Sequence, residues 1–353
     1  MMTKNDITID ESNKCIFRAS SFYNKDGLLI KSYSWEVREH LGIIILVHGL
    51  ASHIRFGFLK QNAKIVNNDH AVLIDGDNYF LYEDSWVEKL NKSGYSVYGL
   101  DLQGHGESDG YQNLKLHIKD YDDYIYDLID FIKSVYQSMI SKKEEKKMYI
   151  TDNGIIETVP IYLVGYSMGA NIILRALQLL NKSNDNLISK LNIKGFISLA
   201  GMISIKYTGS IDSFKYKYLF LPIIKMLSYV FPTYRLHKKN RGFKRFPYIN
   251  DLMNFDKLRY KKGMTNKLAY EVIKSVYILK KYINDIPQNI PILFIHSRHD
   301  SVCAYEEVLS FYNNLYNTNK EMYTLENMDH VVTLEPENEQ ALNKMLTWIK
   351  KCE

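Results

Sequence analysis

The stretch IYLVGYSMGANIILRAL, residues 161–177, contains the pattern from which the fold can be predicted. An apolar run stops at Gly165, Ser167 stands between two glycines, and an apolar pattern of helical spacing begins directly afterwards. Residues 165–169 match the motif G-x-S-x-G, in which a serine occupies a sharp strand-to-helix turn and small neighbours avoid clashes. Two interpretations are open at this point: Ser167 is a nucleophile, or it is a small residue in a tight turn.

Similar apolar runs recur along the chain and predict eight strands, near 15–22, 28–36, 42–47, 95–100, 160–165, 194–200, 291–296 and 321–325. The middle runs are continuously apolar, as in parallel strands that are buried on both faces. Helices are predicted between them over 85–93, 168–180, 304–317 and 336–350, and along the face formed by Ile118, Tyr121, Ile125, Leu128, Ile132 and Val135. The alternation predicts an α/β fold with a doubly wound, mostly parallel sheet.

Three segments interrupt this alternation. Residues 54–84, with the turn signals NNDH and DGDNY, predict an extra loop, and residues 141–157 predict a solvated surface loop. Residues 205–285 combine apolar side chains with 18 Lys and Arg against 5 Asp and Glu, a net charge of +13 in a chain of +5. We interpret this segment as a helical, basic cap inserted into a core domain formed by residues 1–204 and 286–353.

A serine nucleophile needs a histidine base and an acid that orients the histidine. After a turn of this kind they are expected in the order serine, acid, histidine, each on a loop that follows a strand. His330 is the one histidine beyond the last predicted strand, and Asp300 closes the seventh. Asp101 precedes the serine, and Asp329 is adjacent to the histidine, so its carboxylate cannot readily turn onto that imidazole. We therefore predict that Ser167, Asp300 and His330 are the catalytic residues.

The loop after the third strand, VHGLASH, predicts the remaining part of such a site. A backbone N–H in this loop can turn toward the serine, and the N–H after the serine lies at the positive end of a helix. The predicted oxyanion hole therefore consists of the backbone N–H groups of Leu50 and Met168. The residues predicted to support this loop and the turn are His48, Gly49, Gly165 and Gly169.

Other polar residues have simpler interpretations. Asp101 and His105 are more simply a hydrogen-bonded turn than a metal site, and Cys303 is a small packing residue rather than a modifiable thiol. Four aspartates of one predicted helix are interpreted as its solvated face: Asp122, Asp123, Asp127 and Asp130.

Composition narrows the classes of function. The net charge of +5 is modest for 353 residues and gives no reason to expect nucleic acid as a partner. Three widely spaced cysteines form neither a disulfide framework nor a metal pattern, which favours a reducing, cytoplasmic compartment. The polar N-terminus predicts no cleaved signal peptide, and no apolar run approaches the ~20 residues of a membrane span. No metal and no organic cofactor is implied.

Five stretches together resemble the monoacylglycerol lipase and lysophospholipase branch of the α/β-hydrolases: VHGLASH, GYSVYGLDLQGHGESDG, LVGYSMGAN, HDSVCAYE and the pair DH. The resemblance covers most of the predicted sheet domain. It implies a nucleophile at Ser167, an acid at Asp300, a base at His330, oxyanion donors at Leu50 and Met168, and structural roles for Asp101 and His105. The 54–84 insertion, the basic cap and a composition rich in Lys, Asn, Ile and Tyr suggest the lysophospholipase-like branch expanded in apicomplexan parasites.

The expected activity is hydrolysis of a carboxylic ester of an acyl lipid, a lysophospholipid or a monoacylglycerol, through an acyl-enzyme. One alternative is a general carboxylesterase that acts on short-chain, xenobiotic or prodrug esters. A second is a non-catalytic lipid-binding protein that keeps the fold. The basic cap also has two interpretations, a surface that only confers solubility or a site of peripheral contact with anionic membranes.

Overall fold

The computed structural model of the chain describes residues 6–10, 15–145, 159–183, 186–205, 221–235 and 242–352, with the backbone alone described at 6–10 and 142–145. Its strands are β1 (Asp6–Asp10), β2 (Cys15–Tyr23), β3 (Leu29–Val37), β4 (Gly42–Val47), β5 (Lys60–Gln61), β6 (Ala63–Ile65), β7 (Ala71–Leu73), β8 (Phe80–Leu81), β9 (Tyr95–Leu100), β10 (Ile161–Tyr166), β11 (Ile193–Leu199), β12 (Ile292–Ser297) and β13 (Lys320–Leu325). Its helices are α1 (Ile54–Phe58), α2 (Trp86–Lys92), α3 (Asp122–Glu145), α4 (Met168–Lys182), α5 (Leu187–Lys190), α6 (Leu221–Val230), α7 (Tyr248–Phe255), α8 (Asn266–Lys281), α9 (Tyr305–Asn314) and α10 (Asn338–Cys352).

One large sheet organises these elements in the order β1–β2–β3–β9–β4–β10–β11–β12–β13. The pairs from β9 to β13 are parallel, and β1, β2 and β3 extend the sheet by antiparallel pairing. The predicted α/β fold class is confirmed, and all eight predicted strands are present. The structure adds β1 at the edge, which the polar N-terminal sequence did not indicate.

Both faces of the sheet are buried, as the continuously apolar runs predicted. In β4, Ile43, Ile45 and Val47 face one hydrophobic cluster with α3, α4 and α8, while Ile44 and Leu46 face a second cluster with α2 and α10. Successive side chains of a strand point to opposite faces, so a strand covered on both sides has to be apolar throughout. Because β4 and β9 to β13 are parallel, they all end at the same edge of the sheet. Loops that follow them can bring side chains together at this edge.

The predicted loop at 54–84 is instead a structured insertion, so that prediction was wrong. It consists of α1 and two small antiparallel sheets, β5 with β8 and β6 with β7. The insertion packs against α7, where the Tyr248 N–H donates to Asn68 O, the Ala71 N–H to Asp251 Oδ2 and the Tyr79 hydroxyl to Leu252 O. These short strands pair with one another inside the insertion, whereas the bonds to α7 come from a partner distant in sequence, which a local turn pattern does not reveal.

Several helix boundaries differ from the prediction, and α9 ends at Asn314, three residues before the predicted end. α3 begins at Asp122 rather than near Ile118, because Asp120 accepts the Asp122 N–H and Asp123 accepts the Asp120 N–H. It also continues to Glu145, so the beginning of the predicted surface loop at 141–157 is helical, and residues 146–157 lie outside the described residues. α10 begins at Asn338, two residues after the proline expected to open it.

The predicted solvated face of α3 is wrong for two of its four aspartates. Asp127 is 1% exposed and Asp123 is 4% exposed. Asp127 accepts hydrogen bonds from Asn24 Nδ2 and Gln103 Nε2, and burial raises its pKa to about 7. The carboxyl group therefore ties α3 to the β2–β3 turn and to the loop after β9.

The division into a core and a cap at 205–285 remains a prediction. The described part of this segment contains α6, α7 and α8, as a helical cap requires. The buried face of α8, with Leu268, Val272 and Val276, packs in the same cluster as α3 and α4. No helix of the described residues is long and apolar enough to cross a membrane.

Candidate active site

Ser167 lies on a strained turn between β10 and α4. Its φ of 52° and ψ of −115° place a non-glycine residue in a region that L residues rarely occupy. A Cβ on Gly165 would lie 2.5 Å from Ala170 Cα, and a Cβ on Gly169 would overlap the carbonyl oxygen of Val47. Both glycines are therefore needed for the close contact between the turn, the helix and the neighbouring strand. This geometry presents the serine side chain at the carboxyl edge of the sheet.

Three loops bring Ser167, His330 and Asp300 into one chain of hydrogen bonds. His330 Nε2 lies 3.0 Å from Ser167 Oγ, and His330 Nδ1 lies 2.8 Å from Asp300 Oδ2. The other carboxylate oxygen of Asp300 accepts the N–H groups of Val302 and Cys303 at 2.8 Å and 2.7 Å. The three side chains are 7%, 5% and 1% exposed, respectively. The structure thus brings together the three residues that the sequence order singled out.

The electrostatics of this trio favour a charged Asp300 next to a basic imidazole. Burial acts to raise the pKa of Asp300, but the neighbouring His330 and hydrogen bonding hold it below its ordinary value. Burial likewise acts to lower the pKa of His330, but the charge and hydrogen bond of Asp300 raise it above its ordinary value. An imidazole with a raised pKa and one nitrogen on the carboxylate can accept a proton at the nitrogen that faces Ser167 Oγ.

The loop after β4 approaches the serine closely. A Cβ on Gly49 would lie 3.1 Å from Ser167 Cβ, so glycine allows this approach. The N–H groups of Leu50 and Met168 donate no hydrogen bond to any residue within the described ranges. They are therefore available to a bound group, as the predicted oxyanion hole requires.

The side chain of His48 connects this loop to the loop that follows β9. Its Nε2 accepts the N–H of Leu102 at 2.9 Å, so Nδ1 carries the proton and donates to Gly49 O at 2.8 Å. Burial lowers the pKa of His48 to about 3, which keeps the ring neutral. The predicted supporting role corresponds to this bridge between the two loops that follow β4 and β9.

Asp101 and His105 lie in the loop after β9. Asp101 Oδ1 accepts the N–H of Ile54 at 2.9 Å, and Oδ2 accepts the N–H of Glu107 at 3.0 Å. His105 Nδ1 lies 3.0 Å from Gln103 O, and burial lowers its pKa to about 3. Asp101 therefore joins its own loop to the start of α1, and His105 is bonded within the loop, as expected for a hydrogen-bonded turn.

Two features around His330 were not predicted from the sequence. Glu335 is 1% exposed and accepts the N–H groups of Asp329 at 2.5 Å and Val331 at 2.6 Å, which flank the histidine. The ring of Phe243 stacks on the imidazole with centroids 6.5 Å apart and planes at 10°. The position of Glu335, five residues after His330, was the one sequence signal for its hydrogen bonds. Nothing in the sequence indicated the stacking of Phe243 on the imidazole.

Asp329, the rival acid, has a different partner. Its Oδ1 accepts the N–H of Ser301 at 2.7 Å, which joins the loops that carry His330 and Asp300. Its carboxylate therefore orders the backbone next to the site, and Asp300 is the residue on the imidazole.

Within the described residues, one group places three metal-ligand atoms within 4.8 Å of one another, formed by Asp300, Cys303 and His330. Burial raises the pKa of the Cys303 thiol well above its ordinary value, so it stays protonated and is a poor ligand. Asp300 and His330 are already bonded to each other, and Cys303 is a buried neighbour of that pair. The hydrogen bond between Asp300 and His330 therefore accounts for this cluster.

Comparisons with known proteins agree with this architecture. The model of the family described as serine aminopeptidase, S33, matches residues 76–337, more than half of the chain. A soluble variant of monoglyceride lipase from Saccharomyces cerevisiae, solved with a substrate analog, shares 16% identity at a TM-score of 0.69, covering 99% of this chain and 95% of that one. The monoacylglycerol lipase of Paleococcus ferrophilus shares 17% at a TM-score of 0.61, with coverages of 92% and 99%.

A highly thermostable carboxyl esterase from Bacillus coagulans, solved in complex with glycerol, shares 17% identity at a TM-score of 0.65, covering 95% of this chain and 98% of that one. At such low identities these likenesses establish the fold alone. None of the curated protein sequences matches the chain.

Proposed function

The chain belongs to the serine aminopeptidase S33 family and has the α/β-hydrolase fold, and from this premise we propose that it is a serine hydrolase that cleaves carboxylic esters of acyl lipids. The observation that carries the proposal is the hydrogen-bonded chain from Ser167 Oγ through His330 to Asp300, with the serine on a strained turn.

In the proposed reaction, Ser167 Oγ attacks the ester carbonyl carbon while His330 Nε2 accepts the hydroxyl proton. The developing oxyanion accepts hydrogen bonds from the N–H groups of Leu50 and Met168, which are otherwise unused in the described chain. The C–O bond to the alcohol then breaks, and the alcohol leaves with the proton from His330. Water, deprotonated by the same imidazole, attacks the acyl-enzyme and releases the acid.

Labelling by a fluorophosphonate tests the nucleophile directly. We expect the wild-type protein to be labelled and Ser167→Ala to remain unlabelled, because phosphonylation requires an activated serine hydroxyl. Ser134→Ala is the matched control, since this hydroxyl lies on α3 and, among the residues that the structure describes, bonds the Phe131 carbonyl of its own helix. An unlabelled wild-type protein would support the alternative of a non-catalytic lipid-binding protein.

We propose lysophospholipids or monoacylglycerols as substrates, in line with the lysophospholipase-like branch that the motifs resemble. Purified protein should release free fatty acid from these lipids, and its rate on nitrophenyl esters should rise with acyl length. A rate that falls steadily beyond short acyl chains would favour a general carboxylesterase. Because the family is described as an aminopeptidase, aminoacyl naphthylamides belong in the same series, and their preferential cleavage would refute the ester proposal.

We further propose peripheral contact with anionic membranes through the segment 205–285. Its described part exposes large apolar side chains on and after α6, with Ile223 at 44%, Met226 at 57%, Tyr229 at 87% and Phe231 at 57% exposed. Apolar residues beside lysines are typical of surfaces that bind anionic lipid. Cosedimentation with anionic vesicles should be strong at low salt and weak at high salt, and equal binding to neutral vesicles would contradict the electrostatic part.

A cytoplasmic location is proposed with this function, because all three cysteines are free. Fractionation of cells that express a tagged chain should place it in the cytosol and on membranes facing it.

A further inference from the structure

We propose that Arg259 and Asp256 are positioning residues that hold the loop Leu50–His53, and with it the oxyanion donor at Leu50, against the active-site serine. The role rests on the proposed function, since it concerns the oxyanion hole of the same site. Both residues lie in the turn between α7 and α8, which the sequence assigned to the cap, and about two hundred residues separate them from the loop.

Arg259 acts on the backbone of the loop. Its Nε donates to Ala51 O at 3.0 Å. Ala51 has a φ of 53°, a left-handed conformation that costs a non-glycine residue energy and persists only where the surroundings impose it. A single peptide plane separates the Ala51 carbonyl from the plane that carries the Leu50 N–H. A rotation at Ala51 would therefore move the donor relative to Ser167.

Asp256 acts on the other end of the loop through a side chain. His53 Nε2 lies 2.9 Å from Asp256 Oδ2, and both side chains are fully buried. Because His53 Nδ1 accepts the N–H of Phe56, the proton of the ring is on Nε2 and is donated to Asp256. This bond fixes the residue that caps α1, so the loop is anchored both at Ala51 and at His53.

The two anchors support each other. Asp256 Oδ1 accepts the N–H of Leu258 at 2.9 Å, which orders the backbone that leads to Arg259. Arg259 is half-buried with its guanidinium on the Ala51 carbonyl, and burial lowers its pKa while the nearby Asp256 opposes that shift. One turn of the chain therefore supplies both contacts to the loop that carries Leu50.

A displaced oxyanion donor lowers turnover without abolishing substrate binding. Loss of one donor costs on the order of 10²–10³ in kcat, and misplacement by about 1 Å costs up to about 10². We therefore expect Arg259→Ala to lower kcat by about 10- to 100-fold on a soluble nitrophenyl ester, with KM within a fewfold range. The pH dependence of kcat/KM should be unchanged, because His330 and Asp300 are not altered.

Three comparisons separate this role from general stabilisation. Arg18→Ala is the matched control: it removes a guanidinium of β2 that is 27% exposed and bonded to Glu36 on the neighbouring strand β3. Arg259→Lys should recover part of kcat, because an ammonium can donate to the same carbonyl. Asp256→Ala should produce the same kcat loss as Arg259→Ala.

Hydrogen exchange reports on the loop independently of activity. The N–H groups of Ile54 and Phe56 bond Asp101 and His53 in the wild-type protein and should exchange at least about tenfold faster in Arg259→Ala and Asp256→Ala, but not in Arg18→Ala. If the wild-type protein hydrolyses no ester, the proposed function fails and the exchange result still decides the positioning role. Unchanged exchange, or a kcat within twofold of wild type in the folded variants, would overturn it.

Discussion

Replacing Asp127 with asparagine should stabilise the protein at about pH 8 far more than at about pH 5. The carboxyl group is 1% exposed, and burial raises its pKa to about 7. A carboxyl whose folded-state pKa is raised binds its proton more tightly in the folded protein. The stability that this proton contributes is fully present below the unfolded pKa near 4 and is lost as the pH rises through 7.

The size of the effect follows from the shift. With folded and unfolded pKa values of about 7 and about 4, the titrating carboxyl group lowers the free energy of unfolding relative to a neutral side chain. The loss is about 4 kcal/mol at pH 8 and about 2 kcal/mol at pH 5. Asparagine avoids this cost and can keep the network. Its oxygen accepts the Asn24 amide, and its amide donates to Gln103 after the glutamine side chain rotates by half a turn. The stability difference between variant and wild type should therefore grow by about 2–3 kcal/mol between the two pH values.

Urea denaturation of both proteins at both pH values measures this quantity. Other titrating groups, including Glu335 with its raised pKa of about 7, occur in both proteins and cancel in the difference. Turnover at a single pH should be unchanged, because Asp127 does not contact the active-site trio. A difference between variant and wild type that stays within about 0.5 kcal/mol across the pH range would mean that Asp127 behaves as a solvated residue, and the reasoning from burial would be refuted.

Three further changes test the site. Gly169→Ala should cost roughly 3 kcal/mol or more and abolish fluorophosphonate labelling, because the new Cβ overlaps the Val47 carbonyl; normal stability and labelling would contradict the tight-turn account. The kcat/KM of the wild-type protein should fall as the pH drops through an apparent pKa above the ordinary histidine value, since His330 must be neutral to act as a base, and Asp300→Asn should lower that apparent pKa and reduce kcat by about 10⁴. Glu335→Ala should lower kcat about tenfold at unchanged KM in steady-state assays, because it frees the two N–H groups that flank His330, whereas a change in KM alone would argue against this role.

Much of the fold could be predicted because its signals are local. A strand buried on both faces must be apolar throughout, and a helix on its surface must repeat its apolar residues at helical spacing. Both patterns are visible within one segment. The strand ends also indicated where Ser167, Asp300 and His330 would meet, since parallel strands end at one edge of a sheet. β1 was missed because a polar edge strand carries neither pattern.

The contacts that hold the site could not be predicted in the same way. Asp127 has the helical position of a surface residue, and its buried carboxylate is bonded by Asn24, which lies 103 residues away in sequence, and by Gln103. The insertion at 54–84 has the turn signals of a loop, and the contacts that join its short strands to α7 come from a segment distant in sequence. In each case the deciding partner belongs to another segment, so the pattern of either segment alone is uninformative.

The sequence by itself determined the alternating architecture, the strand-to-helix turn at Ser167 and the order of serine, acid and histidine, because each depends on residue types at short spacing or on strand ends. Only the tertiary structure decided which groups hold that machinery in place. Glu335 accepts hydrogen bonds from the two backbone N–H groups on either side of the histidine. Arg259 donates to the carbonyl of Ala51, which lies 208 residues away in sequence. Such contacts depend on which surfaces meet after folding, and the hydrogen bonds that form there satisfy buried groups whose need for a partner is invisible in the linear chain.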